Sequence, residues 1–262
     1  MKRTKLSQLP ENLNETIYSF IKDSEIYDSS CSAAAKVYFI DKDSGYYLKI
    51  SKPQSLKREA EMTEYFNALG LGTKVINYIS GERDWLITEK VSGEDCTYAE
   101  YLNEPEKLAE IYGKILRKLH ETDYSKCPIQ DKLTETLSNA EANYKKGNFD
   151  ASTHIPEMLR PKSKDEAWAF IMGNKDKLKA DTLTHGDYCL PNVMLDNWNF
   201  SNFIDLGNSG VSDRHFDLFW GAWTFNYNLK TDKYTDIFFN AYGKDLIDMT
   251  LLKTVAYIEC FS

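Results

Sequence analysis

Alternating hydrophobic and polar residues near the start of the chain predict a β-hairpin. Apolar and aromatic residues fill Lys36–Ile40 and Gly45–Ser51, and the polar run that separates them is typical of a tight turn. In the second run, Leu48 and Ile50 share one face of the strand, while Lys49 projects from the other face. Lys49 is therefore predicted to stand opposite the apolar side chains of its own strand.

A helix and a further strand follow the hairpin. Within Leu56–Gly70, the residues Met62, Phe66 and Leu69 recur at helical spacing, and the closing glycine is a helix-stop signal. Residues 85–91 then form another apolar and β-branched run, closed by a Ser-Gly turn signal. The first part of the chain is therefore predicted to be a small β-sheet with one main helix.

The pattern becomes mainly helical after Gly93. Residues 103–121 carry a continuous apolar stripe at helical spacing. Asn103 with Glu106 resembles a capping box, and Pro105 suits the first turn of that helix. The other predicted elements are helices over residues 131–149 and 163–179, a short strand over residues 200–207, and helices from Phe216 almost to the end.

Together these elements predict an α+β fold with two lobes. The N-terminal lobe, residues 1–91, is expected to hold the small β-sheet, and the C-terminal lobe, residues 92–262, to be larger and mainly helical. A hinge is expected at residues 89–93. A chain of 262 residues, of which 42% are hydrophobic, is long enough to bury cores of this size.

Composition argues against several classes of protein. No apolar run approaches the roughly 18 residues of a membrane-spanning helix, and the basic start lacks the apolar region of a secretory signal. The five cysteines are scattered and form no C-x-x-C pair, which argues against a disulfide framework or a zinc site. We therefore expect a cytoplasmic protein with no membrane partner.

The net charge of −8 argues against a broad nucleic-acid-binding surface, which needs clustered lysine and arginine. An acidic surface attracts cationic small molecules, although the same charge also serves solubility alone. We expect a monomer with no nucleic-acid partner.

The strongest candidate chemistry lies in the stretch HGDYCLPN, His185–Asn192. Gly186 leaves the carboxylate of Asp187 uncrowded, and a carboxylate in such a loop could orient or deprotonate a hydroxyl. The amide oxygen of Asn192 and the later carboxylate of Asp205 are hard ligands suited to Mg²⁺. A free carboxylate followed by an amide and a carboxylate ligand is the set of groups that phosphoryl transfer from a nucleotide requires.

Phosphoryl transfer also needs a cation on the nucleotide phosphates. Lys49 stands mid-strand in a suitable position, and Glu59 on the following helix could pair with it and hold it extended. Near the loop, His185 is expected to play a structural role, Cys189 to play no covalent role beside a carboxylate, and Asp217 to brace the loop backbone.

These motifs resemble the aminoglycoside phosphotransferase family, most closely the aminoglycoside 3′-phosphotransferases, which have a bilobal protein-kinase-like fold. The resemblance rests on HGDYCLPN followed by FIDLGNSGVSDRHFDL, and it extends over YYLKIS, KREAEM, LITEKVSG and the ending AYIECFS. The H-G-D-x-x-x-x-N motif followed by I-D is specific in this order, whereas each part alone would be weak.

The resemblance implies a role for each candidate residue. Asp187 would accept or orient the proton of the substrate hydroxyl, and Asn192 with Asp205 would hold Mg²⁺. Lys49, fixed by Glu59, would contact the α- and β-phosphates of ATP. The resemblance also implies that Thr88 lies behind the adenine base and that the backbone of Glu89 and Val91 binds its edge. Ser32 is implied in the serine-bearing turn at the phosphates.

An aminoglycoside is a polycation, so carboxylates in the helical lobe should bind its ammonium groups. The candidate acids are Glu135, Glu141, Asp150, Glu157 and Glu259, of which Asp150, Glu157 and Glu259 are preferred. In the resembled family an acidic and aromatic ending contacts the drug, which adds Phe261. Asn208 stands where the 3′-phosphotransferases usually carry arginine, and the acid that often precedes the final glutamate is missing. Both departures concern the acceptor rather than the nucleotide.

The prediction from sequence is an ATP- and Mg²⁺-dependent kinase that phosphorylates an aminoglycoside hydroxyl, the 3′-hydroxyl, and so confers antibiotic resistance. One alternative is a related kinase acting on choline, homoserine or a sugar, for which a quaternary amine would need an aromatic cage and homoserine an arginine. A second alternative is a non-catalytic kinase-like binding module. Loss of Lys49, Asp187 or Asp205 would mark such a module, and all three residues are present.

Overall fold

The computed structural model describes residues 3–31, 35–153, 155 and 160–262. Its described residues form two compact units. The first unit contains the chain up to Asp95 together with Met194–Gly207, and the second contains Cys96–Val193 and Asn208–Ser262. The predicted boundary at residues 89–93 stays a prediction.

The first unit is built on an antiparallel sheet with the strand order β1-β2-β3-β4-β6-β5. Its strands are β1 (Thr4–Lys5), β2 (Glu25–Asp28), β3 (Lys36–Asp41), β4 (Tyr46–Ser51), β5 (Val75–Ser80) and β6 (Asp84–Glu89). Its helices are α1 (Glu15–Ile21) and α2 (Lys57–Ala68). A smaller sheet has the order β10-β9-β7, with β7 at Glu94–Asp95, β9 at Val193–Asp196 and β10 at Asn199–Phe203.

The predicted hairpin is confirmed as β3 paired with β4. Leu48 and Ile50 pack with Ile17 and Ile21 of α1 in a core on one side of the sheet. Lys49 faces the other side, where its neighbour in β6 is Leu86, and Leu86 packs beneath α2. The alternation read from the sequence therefore places Lys49 on the α2 face of the sheet.

The second unit is mainly helical. Its helices are α3 (Ala99–Leu102), α4 (Pro105–His120), α5 (Lys132–Lys146), α6 (Lys164–Asn174), α7 (His215–Leu229), α8 (Thr235–Tyr242) and α9 (Met249–Glu259). Strands β8 (Thr182–Thr184) and β11 (Gly210–Ser212) pair in antiparallel fashion. A core formed by α5, α6, α7 and α9 includes Phe216, Val255 and Phe261. With the sheet of the first unit, these helices confirm the predicted α+β fold class.

The predicted capping box at the start of α4 is wrong. Asn103 instead closes α3, because its N–H donates to the carbonyl oxygen of Ala99. Glu104 occupies the N-cap of α4 without a side-chain bond to the helix, and Pro105 is the first helical residue, as expected. The prediction failed because α3 ends just before α4 begins, so Asn103 caps the end of α3 rather than the start of α4.

The strand predicted over residues 200–207 ends earlier, at Phe203. The cause is Asp205, whose backbone has a φ of 59°, a left-handed conformation that a strand does not accept. Leu206–Asn208 then form a 3₁₀ turn. Among the described residues, no helix is long and apolar enough to cross a membrane.

Gly113 permits the close packing of α4 against α8. A Cβ at Gly113 would lie 2.5 Å from the carbonyl oxygen of Phe238 and 3.0 Å from the amide nitrogen of Tyr242. Because both groups are backbone, they cannot yield by a change of rotamer. We expect Gly113→Ala to lower the free energy of unfolding by about 1–3 kcal/mol, measured by urea denaturation.

Gly173, in α6, is the matched control. A Cβ there would meet no atom within 4 Å, so Gly173→Ala should raise the free energy of unfolding by up to about 1 kcal/mol through helix propensity. If Gly113→Ala also stabilised the protein, α4 and α8 would not be in the contact described.

Candidate active site

The loop around Asp187 is held by one buried carboxylate. Asp217, in α7, is fully buried, and its two oxygens accept the N–H groups of His185 at 2.7 Å and Gly186 at 2.8 Å. These bonds fix the backbone immediately before Asp187. The predicted bracing role of Asp217 is thereby confirmed.

A buried histidine supports this carboxylate from the other side. The ring of His120, at the end of α4, lies 3.0 Å from Asp217 through Nε2 and 2.9 Å from the Tyr242 hydroxyl through Nδ1. Burial lowers the pKa of His120, which favours the neutral ring. The bonding pattern then assigns Nε2–H as donor to Asp217 and Nδ1 as acceptor from Tyr242. Sequence analysis missed both supporting residues, because a polar residue that ends an apolar stripe carries no distinct signal.

Gly186 is required at its position for two reasons. Its φ is 81°, and a Cβ there would lie 2.1 Å from the carbonyl oxygen of Asn208. The turn after β10 and the loop before Asp187 therefore touch backbone to backbone at this point. Any larger residue would separate them.

The side chains in the loop have distinct surroundings. His185 is fully buried, and its Nδ1 accepts the N–H of Asp187 at 3.3 Å, in keeping with the structural role expected for it. Burial and the neighbouring Asp187 carboxylate raise the pKa of Cys189 far above its ordinary value. Cys189 is therefore a protonated thiol, as a residue without a covalent role should be.

Asn192, at the end of this loop, holds the side chain of Asp187. Its Nδ2 donates to the carbonyl oxygen and to the Oδ2 of Asp187, both at 2.9 Å. With its amide hydrogens used in this way, the Oδ1 of Asn192 is left as an acceptor, a suitable oxygen ligand for a hard cation. Asp187 itself is partly buried.

In the first unit, a lysine is held between two carboxylates. Nζ of Lys49 lies 2.7 Å from Oε2 of Glu59 and 2.9 Å from Oδ1 of Asp205. The side chains of Lys49 and Glu59 are 21% and 12% exposed, whereas that of Asp205 is 51% exposed. Burial would lower the pKa of Lys49, but the charges of Glu59 and Asp205 raise it to about 12. Lys49 is therefore a permanent cation with one well-buried and one accessible partner.

The backbone explains how Asp205 reaches Lys49. The N–H of Phe203 donates to the carbonyl oxygen of Leu71, just after α2, and the rings of Phe203 and Phe66 meet edge to face. The left-handed turn at Asp205 then directs its carboxylate to Lys49. A non-glycine residue in this conformation is uncommon and often marks a functional site.

The predicted adenine-binding residues lie at the end of β6. The N–H of Glu89 donates to the carbonyl oxygen of Lys74 at 2.9 Å, and its own carbonyl oxygen accepts the Thr73 hydroxyl at 2.6 Å. Thr88 is the preceding, partly buried strand residue. Across the described part of the chain, no backbone carbonyl accepts the N–H of Val91. Val91 N–H and the second lone pair of the Glu89 carbonyl are thus the groups suited to a base edge.

The second unit contains a cavity of about 460 Å³ with Asp187 in its wall. Glu259 and Phe261 of the predicted acceptor site line it as well. The other lining residues are Lys132, Thr136, Asn139, Ala140, Ala142, Asn143, Lys146, Thr184, Gly186, Asn208, Ser212, Phe216, Trp220, Ile258 and Ser262. Sequence analysis missed the wall formed by α5, although its members recur at helical spacing from Lys132 to Lys146.

The predicted acids fall in different places. Glu259 is beside Asp187 in the cavity, where burial raises its pKa to about 7. Asp150 is not among the lining residues; its carboxylate caps a turn by accepting the N–H and hydroxyl of Ser152. Ser32 and Glu157 lie outside the described residues.

Known phosphotransferases resemble this chain over most of its length. A family model described as the phosphotransferase enzyme family matches residues 30–253. A protein of Lactococcus lactis subsp. lactis (strain IL1403), named "Probable aminoglycoside 3'-phosphotransferase", is 46% identical over 260 residues, which are 99% of this chain and 97% of that protein. An aminoglycoside 3'-phosphotransferase of Staphylococcus aureus is 27% identical over 231 residues, 83% of this chain and 86% of the relative.

Solved structures share the fold. The crystal structure of an aminoglycoside-3'-phosphotransferase of type VIII superposes with a TM-score of 0.75 at 22% identity, covering 94% of this chain and 97% of the other. Aminoglycoside phosphotransferase APH(3'')-Id from Streptomyces rimosus ATCC10970, solved with ADP and streptomycin, gives a TM-score of 0.68 at 23% identity, with coverages of 86% and 90%. The predicted kinase-like fold and family resemblance are confirmed. The chain belongs to the phosphotransferase enzyme family, and within it to the aminoglycoside phosphotransferases.

Proposed function

We propose that this protein transfers the γ-phosphate of ATP to a hydroxyl of an aminoglycoside, the 3′-hydroxyl. The observation that carries the proposal is the fixed carboxylate of Asp187 in the wall of a cavity that also holds Glu259. A relative 46% identical over nearly the whole chain, named as an aminoglycoside 3'-phosphotransferase, supports the acceptor and the position. Phosphorylation at that position is the proposed cause of antibiotic resistance.

Asp187 is proposed to orient the acceptor hydroxyl and to take its proton as the oxygen attacks the γ-phosphorus. The new O–P bond forms as the bond between the γ-phosphorus and the bridging oxygen of ADP breaks. Asn192 holds one oxygen of Asp187 at 2.9 Å, so the carboxylate presents its other oxygen in a defined direction. Holding the attacking group in a defined orientation lowers the activation free energy of the transfer.

Lys49 is proposed to bind the α- and β-phosphates of ATP. It is a permanent cation because Glu59 and Asp205 raise its pKa to about 12, and Glu59 would hold it extended when phosphates occupy its remaining donors. The backbone of Glu89 and Val91 is proposed to bind the adenine edge, with Thr88 behind the base, and Ser32 to contact the phosphates.

The donor groups fit Mg²⁺ as the companion of ATP. The free Oδ1 of Asn192 and the accessible carboxylate of Asp205 are oxygen ligands of the kind Mg²⁺ prefers, and both remain assigned to it from the motif. When bound, Mg²⁺ would neutralise charge on the phosphates. Because ATP is the phosphate donor, we place the activity in the cytoplasm; a monomer without nucleic-acid or membrane partners stays a prediction from sequence.

The first test measures ADP release with Mg²⁺ATP and a panel of kanamycin, 3′-deoxy-kanamycin, choline and homoserine. We expect turnover with kanamycin and none with the 3′-deoxy compound. Asp187→Asn should lower kcat by about 10³-fold or more, since the general base and its orientation are lost together, while nucleotide affinity persists. Turnover on choline or homoserine alone would keep the kinase chemistry and overturn the acceptor. Retained turnover in Asp187→Asn would remove Asp187 from the mechanism.

Lys49→Ala should raise the KM for ATP by about tenfold or more, because one phosphate-binding cation is worth at least about 1.4 kcal/mol in a water-poor site. Lys36→Ala, an exposed lysine of the same sheet, is the matched control and should leave the KM for ATP unchanged. Steady-state kinetics with varied ATP measure both. An equal KM in the two variants would exclude Lys49 from the nucleotide site.

Acceptor binding should weaken as the pH falls through about 7, where Glu259 titrates. The pKa of Glu259 is raised, so its carboxylate is charged above that pH and protonated below it, and only the charged form attracts an ammonium group. Between pH 8 and pH 6 the kcat/KM for kanamycin should fall by about tenfold. Protonation of the drug's amines acts in the opposite direction and cannot cause this fall. Glu259→Gln should flatten the profile; an unchanged profile would assign the titration to another group.

A further inference from the structure

We infer that Lys132, together with Glu135, is a specificity-determining element that makes the α5 wall of the acceptor cavity reject an ammonium group. The inference rests on the proposed function and refines its substrate class. It assigns the α9 side of the cavity to the amine-bearing part of the acceptor and the α5 side to a hydroxyl-bearing, uncharged part.

The charge pattern of the cavity motivates this assignment. A site built for a polycation should be lined mainly by carboxylates, yet the charged side chains that line this cavity are Asp187 and Glu259 opposed by Lys132 and Lys146. Lys132 and Lys146 come from the two ends of α5, while Glu259 comes from the end of α9. The cavity therefore has an acidic side and a basic side.

Lys132 cannot simply swing away into solvent. Its side chain is only 14% exposed, and its Nζ lies 2.7 Å from Oε1 of Glu135 on the next turn of the helix. A Cβ on Gly210 of β11 would lie 3.1 Å from the Cβ of Lys132, so the stem of the lysine packs closely against that strand. A partly buried ammonium held at both stem and tip is a fixed charge.

This charge acts across the cavity. Although burial raises the pKa of Glu259, the Lys132 charge lowers it, so the two side chains share one electrostatic environment. The same field that favours the Glu259 carboxylate disfavours an acceptor ammonium placed near α5. Glu259 thus attracts the amines of a cationic acceptor toward α9, and Lys132 repels them from α5.

Glu135 carries the charge opposite to that of Lys132 and pairs with it. Its carboxylate, 35% exposed, is neutralised by Lys132 in the present chain. Removing Lys132 would take a positive charge out of the cavity wall and leave the negative charge of Glu135 on the same helix, whereas removing Glu135 would leave the lysine charge without this partner. The two substitutions break the same ion pair and should nevertheless have opposite effects on a cationic acceptor.

The test compares Lys132→Gln, Glu135→Gln and the control Lys145→Gln with neomycin and paromomycin, which differ by one amine against one hydroxyl. Lys145 lies on the same helix, is 68% exposed and pairs with Glu141 away from the cavity. We expect Lys132→Gln to raise kcat/KM for neomycin about five- to tenfold and to shift preference toward neomycin, Glu135→Gln to lower kcat/KM about as much, and Lys145→Gln to change neither.

Calorimetric titration of neomycin into the same variants, with no nucleotide present, separates this inference from the proposed function. Absence of turnover with opposite changes in affinity would overturn the proposed function and retain the charged wall. Turnover in the unmodified protein with no change in either variant, or with a loss in both, would overturn the wall. A loss in both is what a merely structural ion pair would give, because each variant then only weakens α5.

Discussion

The candidate site depends on one buried carboxylate, Asp217. A fully buried aspartate is costly unless it is hydrogen-bonded, and here it accepts the N–H groups of His185 and Gly186 and contacts the ring of His120. Charge-assisted bonds from backbone to a fixed acceptor are short and directional. They determine the path of the loop, and the path determines where Asp187 points. The carboxylate proposed to act on the acceptor hydroxyl is thus positioned by a residue that is itself fully buried.

In the first unit it is a cation, rather than a carboxylate, that is taken out of water and held by polar partners. Lys49 is a partly buried cation whose desolvation is compensated by Glu59 and Asp205. The three groups are unequal, since Glu59 is well buried while Asp205 is half exposed. A phosphate arriving at Lys49 would replace the exposed partner more readily than the buried one. The buried ion pair therefore keeps the lysine extended, and the exposed carboxylate is the one available for other ligands.

Sequence reasoning succeeded where local chemistry decides position and failed where tertiary packing does. The alternation around Lys49 and the spacing of the loop motif are local patterns. Lys49 lies on the predicted face of its strand, and Asp187 lies in the predicted loop. The capping box at Asn103 failed because a short helix precedes α4, and a cap residue serves whichever helix the fold gives it. Likewise the left-handed turn at Asp205 ended a strand that its apolar neighbours had predicted to continue. His120 has no local signature, because its role exists only once α4, α7 and α8 are packed together.

In the proposed function, the residue that acts on the hydroxyl and the residues that set specificity lie on different elements of one cavity wall. Asp187 belongs to a loop that α7 holds through Asp217. Lys132 and Glu259 stand on α5 and α9, outside that loop. Asn208 stands where the family resemblance implies an arginine, and it lines the same cavity as Lys132. An asparagine carries no charge there, so among the lining residues Lys132 and Lys146 supply the positive charge of this wall. Positions 132 and 208 therefore both affect the electrostatic potential in the cavity. The effect of a substitution at one of them depends on the charge at the other.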